Sequence, residues 1–123
     1  MKHSILVIED NLDNQQLVTW ILEDDGYDVV CSSTAEEGLM ELDSHPYSAV
    51  LMDISLPGMD GKEATRCLRQ EKRFKDLPVI ALTAHAIKGE TESIYDSGVT
   101  ELITKPLDEE LLLDRLSSLI KKH

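Results

Sequence analysis

Four apolar stretches of this sequence end on residues that could do chemistry together. Glu9 and Asp10 follow the run at 5–8, Asp53 follows 49–52, Thr83 and Ala84 follow 79–82, and Lys105 and Pro106 come just after Leu102 and Ile103. A lone aspartate after an apolar run is an ordinary helix cap. Acid, acid, hydroxyl and ammonium at the ends of four runs form a pattern that capping does not explain. Three carboxylates crowded into one pocket repel one another and raise a pKa unless a cation neutralises them. An oxygen-only donor set that leaves positions to water and phosphate suits Mg2+. The absence of His and Cys beside these acids argues against zinc, and no D-x-D-x-D-G loop supports calcium.

A metal-oriented Asp53 could then attack a phosphorus centre and form an acyl phosphate. Lys105 supplies a mobile point charge for one phosphoryl oxygen. The Thr83 hydroxyl and the backbone amides of Ile54 and Ala84 can donate to the others.

Such a set works only if the fold brings the four run ends together. The runs at 5–8, 29–31, 49–52, 79–82 and, weakly, 102–103 are short and rich in β-branched residues, which predicts buried strands. Helical spacing fills the intervals: Leu17, Val18, Ile21 and Leu22, then Ala35, Leu39 and Leu42, then Ala64, Cys67 and Leu68. The last helix shows Leu112, Leu116, Leu119 and Ile120 on one stripe, with Pro106 at its opening. Ser33 or Thr34 caps the second helix, and Gly26 and Gly98 close two others. Five β-α units predict a parallel sheet with helices on both faces. Ligands of such sheets sit beyond the carboxyl ends of the strands, where all the chemically distinctive residues lie.

The 123 residues suit one domain spanning 1–123. Against 24 acidic side chains stand 12 basic ones, a formal net charge of -12, and the only basic run is Arg69, Lys72, Arg73 and Lys75. That balance speaks against nucleic acid as a partner, because binding to a phosphate backbone is mostly a basic-surface effect. Cys31 and Cys67 are far apart in sequence with apolar neighbours, which predicts buried thiols in a reducing compartment and a cytoplasmic protein. No run approaches the ~18 apolar residues of a membrane helix, so no membrane association is expected.

The segments Ile5-Leu6-Val7-Ile8-Glu9-Asp10-Asn11, Leu51-Met52-Asp53-Ile54-Ser55-Leu56-Pro57-Gly58-Met59-Asp60-Gly61, Ile80-Ala81-Leu82-Thr83-Ala84 and Thr104-Lys105-Pro106, in this order and spacing, closely resemble the receiver domains of bacterial two-component response regulators. The resemblance spans essentially the whole chain. It implies a flavodoxin-like doubly wound (βα)5 fold with strand order 2-1-3-4-5. It also implies a phosphorylation switch in which Asp53 takes a phosphoryl group from a phosphohistidine of a sensor histidine kinase or histidine phosphotransferase. By the same resemblance Asp10, Asp53 and the Ser55 carbonyl ligate Mg2+, for which Mn2+ can substitute, and Glu9 acts mainly through water. Thr83 and Lys105 read the phosphoryl oxygens, the Lys105-Pro106 peptide is cis, and Ser55 and His85 tune the lifetime of the acyl phosphate. The protein is then no turnover enzyme but an acceptor that assists its own Mg2+-dependent phosphorylation and dephosphorylation.

Most relatives carry an aromatic residue three positions before the lysine; this sequence has Leu102, and Tyr95, not at the equivalent position, is read as a core or surface-groove residue. The segment 84–89 resembles receivers of hybrid kinases and of stand-alone cell-cycle regulators, which points to a phosphorelay. Analogy places the kinase on the first helix, at Leu12, Gln15 and Gln16, and a downstream protein on the face of helix four, strand five and helix five. The start at Met1 and the end one helix after Pro106 are expected of a single-domain regulator without an output domain, with a receiver cut from a hybrid kinase as the alternative.

Three rivals differ in kind. A phosphatase of the haloacid dehalogenase type needs a second Asp two residues after the nucleophile, where this sequence has Ser55. A degenerate receiver serving only as a docking module would lack an acid, the acceptor or the lysine, and all are present. A flavin binder of the same fold would need a hydroxyl-rich phosphate loop after strand one.

Overall fold

The computed structural model describes residues 3–84 and 87–121. In chain order the elements are β1 (Ser4–Ile8), α1 (Leu12–Asp24), β2 (Asp28–Ser32), α2 (Ala35–Ser44), β3 (Ala49–Asp53), α3 (Gly61–Arg69), a 3-10 turn (Lys72–Phe74), β4 (Val79–Thr83), α4 (Lys88–Asp96), β5 (Glu101–Thr104) and α5 (Glu109–Lys121). All strand pairs are parallel and the order is β2-β1-β3-β4-β5, as expected. Asp53 pairs with Leu82 and Thr83 with Thr104, so β3, β4 and β5 end nearly level and deliver their last side chains to one rim.

Because side chains alternate along a strand, the sheet divides the core in two. Ile5, Val7, Leu51 and Leu82 pack with Val18 and Leu22 of α1 and with Leu112 and Leu116 of α5. Leu6, Ile8, Val50 and Met52 pack on the other side with Ala35, Ala64, Leu68 and Ile94 of α2, α3 and α4. The central strands β3 and β4 are buried at every position. Asn11, Thr34, Asp60 and Asp108 accept the backbone amides of Asn14, Glu37, Glu63 and Leu111, caps that contribute about 1 kcal/mol each. Gly26 and Gly98, at φ 92° and 111°, make the left-handed turns that end α1 and α4.

Several expectations need correction. The final helix starts at Glu109 under the Asp108 cap, and Pro106 belongs to the turn before it. β2 is an edge strand rather than a buried one, with Val30 exposed. Cys67 is exposed and Cys31 half-buried, because α3 turns Ala64 and Leu68 inward and leaves Cys67 outside. Leu17 lies at the surface, 46% exposed; Tyr95 is equally exposed, which excludes the core half of its core-or-surface-groove expectation and leaves the surface half. Arg69 is not part of a basic surface: its guanidinium donates to the carbonyls of Gly98 (2.9 Å) and Phe74 (2.6 Å) and ties α3 to neighbouring turns. Lys62 joins α3 to α4, donating to Ser93 Oγ at 3.2 Å with Glu90 at 3.6 Å. Among the described residues no helix is long and apolar enough to cross a membrane.

Candidate functional site

The rim assembles as the run ends predicted. Glu9 follows β1, its amide donating to the Ser32 carbonyl, and is 1% exposed, while Asp53 at the end of β3 is 4% exposed. Asp10 is next to them and faces solvent; carboxylate oxygens of Glu9, Asp10 and Asp53 all lie within 4.8 Å of one another. Lys105 reaches in from the end of β5, its Nζ 3.2 Å from both Glu9 Oε1 and Asp53 Oδ2. The Lys105-Pro106 peptide is cis. Thr83 is buried at the end of β4, and the Lys105 amide donates to its carbonyl at 2.7 Å.

Three carboxylates against one ammonium leave a negative excess in a partly dry pocket. Burial and the adjoining Asp53 raise the pKa of Glu9, while the Asn11 amide and Lys105 oppose the shift. For Lys105, burial disfavours the ammonium, but the pull of Asp53 and Glu9 outweighs it and the pKa rises. The donors are all oxygen and are preassembled, so they fit a hard divalent cation.

The raised Glu9 value has a consequence for stability. Between the unfolded and folded pKa the folded protein holds a proton that the unfolded chain has released, so stability contributed by Glu9 is present at low pH and lost as pH rises through the folded value. In EDTA, wild-type protein should therefore lose stability relative to Glu9→Gln as pH climbs from the ordinary carboxylate range towards neutrality. Urea unfolding of both proteins at several pH values checks this; a pH-independent difference would contradict it.

Other expected positions fall out unevenly. The Ile54 amide does not face the acceptor: it donates to the Leu82 carbonyl at 3.0 Å and continues the β3–β4 ladder. The next amide, that of Ser55, donates to Asp53 Oδ1 at 3.0 Å. Ala84 is exposed beside the site, and Leu102 is half-buried against the α2–α4 side of the core, opposite Ala81. His85 lies outside the described residues. On α1, Leu12 is 67% exposed and Gln16 exposed, but the Gln15 amide is occupied by the Glu9 carbonyl at 2.5 Å and Ser33 Oγ at 3.2 Å.

Sequence reasoning missed the donors around Glu9. The Asn11 amide donates to Oε2 at 3.2 Å, and Asn14 Nδ2 donates to Oε1 at 3.3 Å. It also missed Gly61, whose amide donates to the Ile54 carbonyl at 3.2 Å and whose α-carbon packs on the acceptor's peptide. A broad cleft of about 650 Å³, lined by residues such as His3, Tyr47, Arg73 and Ile120, contains none of these groups.

Comparison with known proteins agrees with this geometry. The sequence profile of the response regulator receiver domain matches residues 5–117. The chain is 36% identical over 111 residues to the sensor histidine kinase GacS of Pseudomonas protegens, covering 88% of this chain but only 12% of that protein. It is 33% identical over 118 residues to the polar-differentiation response regulator DivK of Brucella ovis, covering 96% of each. The receiver domain of the sensor histidine kinase PA1611 of Pseudomonas aeruginosa PAO1, solved with a magnesium ion coordinated in its active-site cleft, superposes with a TM-score of 0.92 at 32% identity over 98% of this chain and 99% of that one.

Proposed function

From the premise that this chain belongs to the response regulator receiver domain family and is a phosphorylation-dependent signalling switch, we propose that Asp53 is its phosphoryl acceptor. The observation that carries this is the setting of Asp53: buried to 4% exposure at the end of a central strand, held by the Ser55 amide and Lys105, with Glu9 and Asp10 within reach of a shared cation. Asp10, Asp53 and the Ser55 carbonyl would hold Mg2+, or Mn2+ in its place, with Glu9 acting through water. The ion would offset charge on the incoming group and on the acceptor.

A carboxylate oxygen of Asp53 forms the new O–P bond as the P–N bond of a phosphohistidine breaks, and the imidazole keeps the electron pair. Lys105 exchanges a carboxylate partner for a phosphoryl oxygen, and the Thr83 hydroxyl and the Ser55 and Ala84 amides donate to the others. The donor is a sensor histidine kinase or histidine phosphotransferase; kinship with GacS and DivK supports a phosphorelay. The chain assists its own phosphorylation and dephosphorylation rather than turning over a substrate, with Ser55 and His85 setting the lifetime.

The added charge draws Thr83 inward and repacks the α4–β5–α5 face, where a downstream protein binds. With Leu102 aliphatic and already packed, the readout passes through Thr83 and the segment leading into α4. A net charge of -12 speaks against nucleic acid as a partner, and the protein acts in the cytoplasm through protein contacts. Incubation with acetyl phosphate and Mg2+ should add the mass of one phosphoryl group, labile to hydroxylamine, and EDTA should prevent the gain. Undiminished uptake in EDTA would overturn the metal-assisted reading.

A further inference from the structure

Glu9 is restrained from three directions. Its Oε2 accepts from the Asn11 amide, and its Oε1 accepts from both Asn14 Nδ2 (3.3 Å) and Lys105 Nζ (3.2 Å). Asn14 serves α1 through its main chain, whose amide meets the Asn11 cap at 3.0 Å. Its side chain is not needed for that cap, yet it is turned towards the acidic cluster rather than to solvent.

The chemistry of the donor matters. A second ammonium or guanidinium in this place, beside the Lys105 ammonium already on Oε1, would hold the carboxylate and cancel more of the charge that attracts a cation. A neutral amide orients the carboxylate and leaves its charge in force. Gln15, the next residue, fixes the Glu9 main chain by donating to its carbonyl, so two consecutive amides of α1 grip the same acid from either end.

We infer that Asn14 is a positioning residue for the divalent cation: its side-chain amide holds the Glu9 carboxylate in the orientation that receives the ion beside Asp10 and Asp53. The inference rests on the Mg2+ reading above. Alanine at 14 keeps the main-chain cap and is the better helix former, so the fold tolerates the change.

The test is Mg2+ binding itself, measured by calorimetry or by amide chemical shifts, with no phosphoryl donor present. Asn14→Ala should weaken Mg2+ binding about tenfold, the scale of a lost outer-shell partner, while its melting temperature in EDTA stays within a few degrees of wild type. In a Glu9→Gln background the same substitution should change Mg2+ affinity by less than about twofold, because Asn14 acts through Glu9. Wild-type affinity in Asn14→Ala overturns the inference, and so does an undiminished tenfold loss in the Glu9→Gln background. If wild-type protein binds no Mg2+, the metal reading falls with it; if wild type binds and Asn14→Ala binds equally well, only the role of Asn14 falls.

Discussion

Asp53→Asn protein incubated with acetyl phosphate and Mg2+ should keep its starting mass, with uptake reduced by on the order of a thousandfold or more, the scale of losing a nucleophile. The substitution is isosteric, so the loss is chemical rather than steric. A neutral amide oxygen is a poor nucleophile towards phosphorus and a weaker metal ligand than a carboxylate. The Ser55 amide keeps an acceptor in the Asn carbonyl oxygen, while the ion pair with Lys105 is lost and the repulsion from Glu9 with it. Near-wild-type melting should accompany the loss. Intact-mass measurement decides: a full phosphoryl gain in folded Asp53→Asn protein would show that another residue is the acceptor.

Gly61→Ala should also slow the acceptor, by less than the loss of the nucleophile, from a position that carries no reactive atom. An added methyl would collide with the Asp53 carbonyl oxygen and lie 2.9 Å from Ile54 Cα. Both obstacles are backbone, so neither can swing aside. Relief requires α3 to move off β3 or the acceptor's peptide to tilt, at a cost of about 1–3 kcal/mol for overpacking. A ~1 Å displacement of the nucleophile can itself slow the reaction about a hundredfold. We expect a fall in melting temperature of roughly 5–15 °C together with acetyl phosphate uptake at least about tenfold slower. Gly38→Ala is the comparison: the atoms nearest its added methyl belong to the buried Ile8 side chain and not to the acceptor's peptide, so it can cost stability but should spare acetyl phosphate uptake by the folded protein. Equal stability and rate for Gly61→Ala and wild type would refute the close-packing argument.

The contrast between Asp53 and Gly61 marks what the sequence makes legible. Strand ends are readable because apolar runs stop abruptly at charged or hydroxyl residues, and a parallel sheet carries all such ends to one edge. Asp53, Glu9, Thr83 and Lys105 were found that way. The Ile54 amide was misplaced because residue types do not say whether a main-chain group is spent on the ladder. Asn14 escaped notice because a polar residue in a helix's first turn is ordinary; only the direction of its side chain singles it out. Pro106 was taken for a helix start because proline is favoured there, but the chain needs two more residues to leave β5, and Asp108 supplies the cap. Cys67 has apolar neighbours in sequence, yet the α3 stripe passes through Ala64 and Leu68 and leaves it outside.

The hydrogen bond from the Lys105 amide to the Thr83 carbonyl makes one reporter of two. The ammonium and the hydroxyl proposed to meet the phosphoryl group belong to residues joined by a main-chain hydrogen bond between neighbouring strands. Any pull on Thr83 is transmitted to the root of the Lys105 side chain, and any change in the reach of the lysine is felt by β4. If both residues meet the phosphoryl group as proposed, their substitutions should show coupling in a double-mutant comparison of the signalling response.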